Sequence, residues 1–405
     1  MTVTLHSAPH VLPICAPPVP DGAVAVAAGR IVAVGPRAEL RSTYSGAAEQ
    51  RWPGVLTPGL INAHTHLNYT HCAHFHGNGK PFPAWIQDFA PVIAATTPDG
   101  WRASAADGVR RMLATGTTAA ADVVTGPAAL TAQADAGLAG VSYLEAVFHD
   151  RRSWARARWY AQLTDGAGIS PHTAYTLDTP VLAELAAEAR ARGVRLHPHA
   201  AETVEEVAFT VTGTGPFADL ARSMRLDLAL LGCGSGRTPV AELDAAGLLG
   251  PDSHVAHGIH VSAADRALLR RRGTVVALCP RSNARLGSGE APVAAYRAEG
   301  NLVAVGTDSL ASSPSLDLLG DVAALRELAL RQGSPEEGLD RWLVEAATVG
   351  GARALGRDDL GVLRPGARAD LAAFAVDGEP YAALVAAGEG SCVGTVVQGE
   401  IVPLG

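Results

Sequence analysis

Four short stretches of this 405-residue chain carry side chains whose types and spacing could do chemistry: His64-Thr-His66, His199-Ala-Ala-Glu202, His257-Gly and Thr307-Asp308. His64 and His66 stand two apart at the end of the run Thr57-Pro-Gly-Leu-Ile-Asn-Ala, and in an extended strand residues i and i+2 point to the same face. Two imidazoles then leave one strand end together, as chelation of a metal requires. His199 has a glutamate three residues on, and His257 and Asp308 each close an apolar run. Any one of these histidines alone reads more readily as a hydrogen-bonded structural group than as a ligand, so it is their joint occurrence that points to a site. Three neutral imidazoles and one carboxylate suit Zn²⁺ or Fe²⁺ with a coordination position left open for water.

The remaining histidines have plainer readings. His71, His74 and His76 continue into Gly77, Asn78, Gly79 and Pro81, a loop composition that would lie over a substrate or form an adventitious second metal site. His197, two before His199, points inward one layer deeper and could mimic a ligand. His254 and His260 flank His257 and read as structural or exposed.

Positioning such residues requires strand ends gathered on one side of a sheet. Strand-like runs begin near Pro58, Thr117, Val141, Ile169, Val194, Ser253, Thr274 and Asn301, and helical patterns separate them. One helix opens on Ser262 with Asp265 three residues later and stops at Gly273, while Leu318, Val322, Leu325 and Ala329 form a later helical stripe. Thr203 and Glu206 are spaced as a further capping box. Eight strand–helix units predict an α/β fold, a (β/α)₈ TIM barrel over residues 58–357, in which function sits at the C-terminal strand ends. His66, His199, His257 and Asp308 fall at the ends of strands one, five, six and eight. Residues 1–57 and 358–405 alternate Val-rich runs with Gly and Pro turns and predict one small β-sandwich domain built from both chain termini. A doubly wound sheet is disfavoured because no GxGxxG follows the first strand.

Composition narrows the partners. A formal charge of −8, a pI near 5.9 and no basic run argue against nucleic acid or an anionic membrane and for a small-molecule substrate. No run approaches a membrane span and no leader pattern opens the chain, so a cytoplasmic location is expected. The five cysteines are dispersed, never in a CxxC pair, and suggest neither disulfides nor a thiolate metal site. The only lysine is Lys80.

The stretches PGLINAHTHL, HAAET, AHG and GTDS together resemble the amidohydrolase superfamily, and the resemblance spans nearly the whole chain. Within it the chain is similar to hydrolytic deaminases with one metal ion per chain, Zn²⁺ first and Fe²⁺ second. That resemblance implies the ligands His64, His66, His199 and Asp308, Glu202 as the proton shuttle, His257 as the residue that orients the attacking water, and Asp308 as acceptor of its proton. Binuclear members bridge their metals with a carboxylated lysine at the end of strand four, where this chain has Ser170-Pro-His172 instead. GISPHTAYTL, HAAETVEEVAF, AHGIHV, CPRSN and GTDSLASSPSLDLL look like the aminofutalosine type of deaminase, with S-adenosylhomocysteine, methylthioadenosine and adenosine deaminases as neighbours. An adenine-type nucleoside is the implied substrate, and a homodimer is compatible with the family. Amide hydrolysis, as in imidazolonepropionase relatives, is the rival chemistry, and a barrel kept as a non-catalytic scaffold is the rival class. Candidate substrate contacts are His172 and Glu145 at strand ends, Trp85 as a wall, Arg281, Ser282 and Asn283 after strand seven, and Asn68. Asn68 stands where many relatives carry Glu or Gln, and Leu278 where they carry His.

Overall fold

The computed structural model describes residues 2–75, 80 and 82–403, so His76 lies outside the described residues. Eight central strands lie in two parallel four-stranded arcs. Leu60–Thr65, Thr117–Val124, Val141–Ala146 and Gly168–Pro171 form one, and His199–Ala200, His254–His257, Val275–Leu278 and Val303–Val305 the other. Backbone bonds run across both seams. Ile169 N–H donates to Arg195 O at 2.9 Å and His199 N–H to His172 O at 3.0 Å, while Thr307 and Asp308 N–H both donate to His64 O, at 3.1 and 3.0 Å.

The fifth strand is shorter than expected. The sequence predicts a run from Val194, but the ladder holds only His199–Ala200, with Leu196 in isolated bridges to Ile169 and Ser253. Pro198 has no N–H to give and interrupts the pairing.

The helices between strands follow the sequence signals. Ser262 caps Ala263–Arg272 in a full capping box with Asp265, and Gly273 ends that helix at φ 67°, a conformation glycine adopts without a Cβ clash. Leu318, Val322, Leu325 and Ala329 are all buried against the strands from one face of Leu318–Arg331. Truncating a side chain such as Leu325 to alanine would cost about 2–5 kcal/mol.

Both chain ends share a second sheet. Its order is Glu400–Val402, Cys392–Val397, Leu371–Phe374, Val55–Pro58, Thr4–Val11, Val19–Ala27 and Arg30–Pro36, with Ala48–Arg51 pairing alongside Thr4–Val11. Leu371–Phe374 pairs antiparallel with Val55–Pro58, tying the C-terminal part to the N-terminal part. Val11, Val24, Ile31, Leu56, Leu371 and Val396 pack into one core there. Val55–Pro58 runs through Gly59 straight into Leu60–Thr65, so this sheet anchors the strand that carries His64. A Cβ on Gly59 would lie 2.1 Å from Thr118 Oγ1, which is why glycine occupies the junction. Among the described residues no helix is long and apolar enough to cross a membrane.

Candidate metal centre and active site

His64, His66, His199, His257 and Asp308 converge at one end of the two arcs, all buried. His64 Nε2 and His66 Nε2 each lie 3.7 Å from Asp308 Oδ1, and the rings of His199 and His257 stand edge-on to His64 with centroids 4.8 and 5.3 Å away. Gly306 permits this approach: its missing Cβ would meet His64 Cβ at 2.9 Å. The chain enters the site in a strained form, because Ala201, His257 and Asp308 have φ of 53°, 72° and 59°. Each non-glycine residue there costs on the order of 1 kcal/mol, a strain that clusters at functional sites.

The donor set fits a divalent ion. Nε2 of His64, the atom 3.7 Å from Asp308 Oδ1, is buried without a hydrogen-bond partner among the described residues. A tetrahedral ion with bonds of about 2.1 Å spaces its ligand atoms about 3.4 Å apart, near the 3.7 Å of the His64–Asp308 and His66–Asp308 pairs. Burial depresses the basicity of every imidazole here, His64 well below the usual range and His66 to about 4, which leaves nitrogen lone pairs free.

Asp308 is held from behind. Its Oδ2 accepts from Ser282 Oγ at 2.6 Å and Ser312 Oγ at 2.9 Å, and its Oδ1 from the Ser309 N–H at 2.7 Å. Glu202 lies across the site with Oε2 3.8 Å from His257 Nε2, while His257 Nδ1 is 3.0 Å from Asn283 Oδ1. An amide oxygen only accepts, so the His257 proton sits on Nδ1 and Nε2 faces Glu202 with its lone pair. Burial pushes the Glu202 carboxyl well above the usual range, reinforced by the charges of Asp308 and Glu206.

The start of the helix Val204–Thr212 differs from the expected capping box. Thr203 Oγ1 accepts from the Glu206 N–H at 3.2 Å, but the Glu206 carboxylate accepts from Ala201 N–H at 2.9 Å and Glu202 N–H at 2.7 Å rather than from Thr203. The positive φ of Ala201 turns those two N–H groups toward it.

A cavity of about 310 Å³ opens onto this cluster, lined at its floor by His66, His172, His199, Glu202, His257 and Asp308. Glu145 also lines it and is pushed up to about 8 by burial, against the Thr125 hydroxyl that donates to its Oε2 at 3.5 Å. His172 is pushed down to about 3, chiefly by burial, and its Nδ1 lies 3.1 Å from both Thr173 Oγ1 and Thr176 Oγ1. The far wall is carbon. Phe82, Trp85, Ile86 and Phe89, at i, i+3, i+4 and i+7 of the helix Phe82–Ala95, present one face to the cavity. Trp85 stacks between Phe82 (centroids 5.7 Å apart) and Phe89 (4.8 Å).

Four expected substrate contacts are corrected. Arg281 points away from the cavity: its Nε donates to Asp321 at 2.9 Å, and its other nitrogens reach Glu389 and the Asp317 carbonyl. Ser282 and Asn283 sit behind Asp308 and His257 instead of facing the cavity, because the helix Pro280–Leu286 turns both inward. Asn68 is wholly buried in the 3₁₀ turn Leu67–Cys72 and does not line the cavity. His71 bonds Ser104 and Thr96 at 2.9 and 3.1 Å. His260 donates toward Ser288 O at 2.7 Å. Ser309 and Ser312 were missed, although serines one and four residues after an aspartate at a strand end are placed to hold it. The aromatic stripe was likewise legible in FPAWIQDF.

Comparison with known proteins agrees with this geometry. The amidohydrolase family model matches residues 55–402, and a bacterial imidazolonepropionase-like composite domain matches residues 22–44. The chain is 35% identical over 379 residues to a 5-methylthioadenosine/S-adenosylhomocysteine deaminase of Halobacterium salinarum, covering 89% of this chain and 81% of the relative. It is 33% identical to an aminodeoxyfutalosine deaminase of Deinococcus radiodurans, covering 83% and 81%. Among solved structures, a zinc-bound adenosine deaminase from Xanthomonas campestris superposes with a TM-score of 0.81 at 27% identity, over 98% of this chain and 92% of that one. The chain belongs to the amidohydrolase family. Within the family it is an enzyme of the hydrolytic deaminase kind.

Proposed function

We propose that this chain is a metal-dependent deaminase of an adenine-type nucleoside. The two arcs would close as a (β/α)₈ barrel over residues 58–357, with residues 1–57 and 358–405 as the composite β-sandwich domain. The observation that carries the reading is that Glu202 and Asp308 line the same cavity. Glu202 is a carboxyl that burial raises well above the usual range, and Asp308 is a carboxyl fixed by two serine hydroxyls.

His64, His66, His199 and Asp308 would hold the ion, Zn²⁺ first and Fe²⁺ second. Bound there, a divalent ion lowers the pKa of water toward about 7 and so supplies a nucleophile at neutral pH. Glu202 delivers its proton to the ring nitrogen beside the amino-bearing carbon, which makes that carbon electrophilic. His257 turns its Nε2 lone pair toward the attacking water, while Asn283 fixes the tautomer. Asp308 takes up one of the two water protons, which Glu202 helps return to the departing nitrogen, and the second, released as the ring carbonyl forms, restores the Glu202 carboxyl. Ammonia leaves and a ring carbonyl remains, so one water is consumed per ammonia released.

The favoured substrate is 6-amino-6-deoxyfutalosine, giving futalosine on the futalosine route to menaquinone. The apolar wall of Phe82, Trp85, Ile86 and Phe89 supports it, since it offers an aryl appendage a carbon surface to pack on. A second reading, methylthioadenosine deamination, is favoured by the same wall: no Lys or Arg lines the cavity among the described residues, which suits a methylthio group. A panel of adenine nucleosides with metal-loaded protein tests both, scored by ammonia release and the ultraviolet shift from adenine to hypoxanthine. Turnover of aminodeoxyfutalosine well above the others supports the first reading. Failure on every adenine nucleoside would overturn the function.

A further inference from the structure

Behind the metal-facing imidazoles lies a second layer of histidine that the mechanism above does not use. His64 Nδ1 is 2.8 Å from His197 Nε2, His197 Nδ1 is 3.1 Å from the His254 carbonyl, and His254 Nε2 is 3.1 Å from the Ala63 carbonyl. The rings of His197 and His254 stack at 3.7 Å and 18°, with Tyr143 edge-on to both. All three histidines are fully buried.

The protons in this chain can be assigned from chemistry alone. A carbonyl oxygen only accepts, so His197 carries its proton on Nδ1 and presents a bare Nε2. Two bare nitrogen lone pairs cannot face each other at 2.8 Å, so His64 Nδ1 carries a proton and donates it to His197 Nε2. The remaining lone pair of His64 then sits on Nε2, the buried atom without a hydrogen-bond partner that lies 3.7 Å from Asp308 Oδ1. His254, tied to Ala63 next to His64, returns the chain to the strand where it began.

We propose that His197 is the positioning residue that sets the His64 tautomer and aims Nε2 at the metal. Metal-ligating histidines usually donate their second N–H to a carboxylate, a backbone carbonyl or water, and a carboxylate raises ligand basicity. Here the acceptor is a neutral imidazole, so it orients His64 without adding negative charge behind the site and leaves the ion a stronger Lewis acid.

The proposal rests on the metal-site reading, and the two are tested separately. Zinc titration of the full-length parent tests the site: one Zn²⁺ per chain is expected, and no stoichiometric zinc would overturn both. Nitrogen-15 NMR of histidine-labelled, metal-free protein tests the relay. It should show His64 protonated on Nδ1 and His197 on Nδ1; a His64 proton on Nε2 would overturn the assignment even if zinc binds. His197→Phe, which keeps a ring but removes the acceptor, should weaken Zn²⁺ binding about 10–100-fold in chelator competition. His197→Gln, whose side-chain oxygen can accept from His64, should recover most of that loss. A folded His197→Phe with parental zinc affinity would contradict the proposal, and the NMR measurement on the parent stands if that variant does not fold.

Discussion

Ser282 donates its hydroxyl to Asp308 Oδ2 at 2.6 Å, from a residue 26 positions earlier in the chain and one strand away. Together with Ser312 it leaves Asp308 one carboxylate oxygen, Oδ1, to face the imidazoles of His64 and His66. Hydrogen bonds to a charged group contribute about 1.5–3 kcal/mol, so Ser282→Ala should reduce kcat roughly 10–100-fold with little change in KM. Steady-state kinetics check this. An unchanged kcat would mean that Ser312 and the Ser309 N–H hold Asp308 unaided.

Glu202→Gln removes the mobile proton but preserves shape. Loss of one positioned acid typically costs about 10²–10⁴ in rate, so kcat should fall by that much while bound metal stays at the parental level. Metal analysis alongside kinetics separates the two effects. Near-parental turnover would remove Glu202 from the proton-transfer role.

Asp122 gives a pH dependence independent of turnover. It is buried beneath the metal-bearing strand end, accepts the Leu67 N–H at 2.8 Å, and is pushed up from 3.8 to about 8 by burial. A carboxyl with a raised folded pKa binds more protons in the native than in the unfolded state. Its contribution is therefore fully favourable below about 3.8 and is lost as pH rises through about 8. Asp122→Asn should flatten the decline of Tm between those limits, measured by thermal melts of metal-free protein. A parental slope would show that Asp122 is not the group responsible.

Arg281 should behave as a structural residue. Its guanidinium pairs with the fully buried Asp321 at 2.9 Å and reaches Glu389. Arg281→Ala strands the Asp321 carboxylate and should cost about 3–5 kcal/mol of stability, with KM nearly unchanged in the folded fraction. A selective rise in KM without loss of stability would restore the substrate-contact role.

The contrast between Arg281 and His64 explains what could be read from the chain alone. His64 and His66 are legible because strand periodicity fixes where i and i+2 point, His257 and Asp308 because each closes an apolar run, and His199 because a glutamate follows it three residues later. Arg281, Ser282 and Asn283 were misread because they follow their strand within a short helix, Pro280–Leu286, whose rotation decides which side chains face inward. Asn68 failed for the same reason in the turn Leu67–Cys72. The short fifth strand traces to Pro198, which breaks the run Val194-Arg-Leu-His197 just before His199 and cannot donate to a ladder. The acceptor role of His197 needs a contact across 133 residues, which local spacing does not encode.

The most direct test of the central claim joins metal content to product. Protein loaded to one Zn²⁺ per chain, given aminodeoxyfutalosine, should release one ammonia for each adenine chromophore converted to hypoxanthine, and Asp308→Ala should lose both zinc and turnover. A fully loaded protein that leaves every adenine nucleoside unchanged, or an Asp308→Ala variant that keeps zinc and rate, would contradict the account.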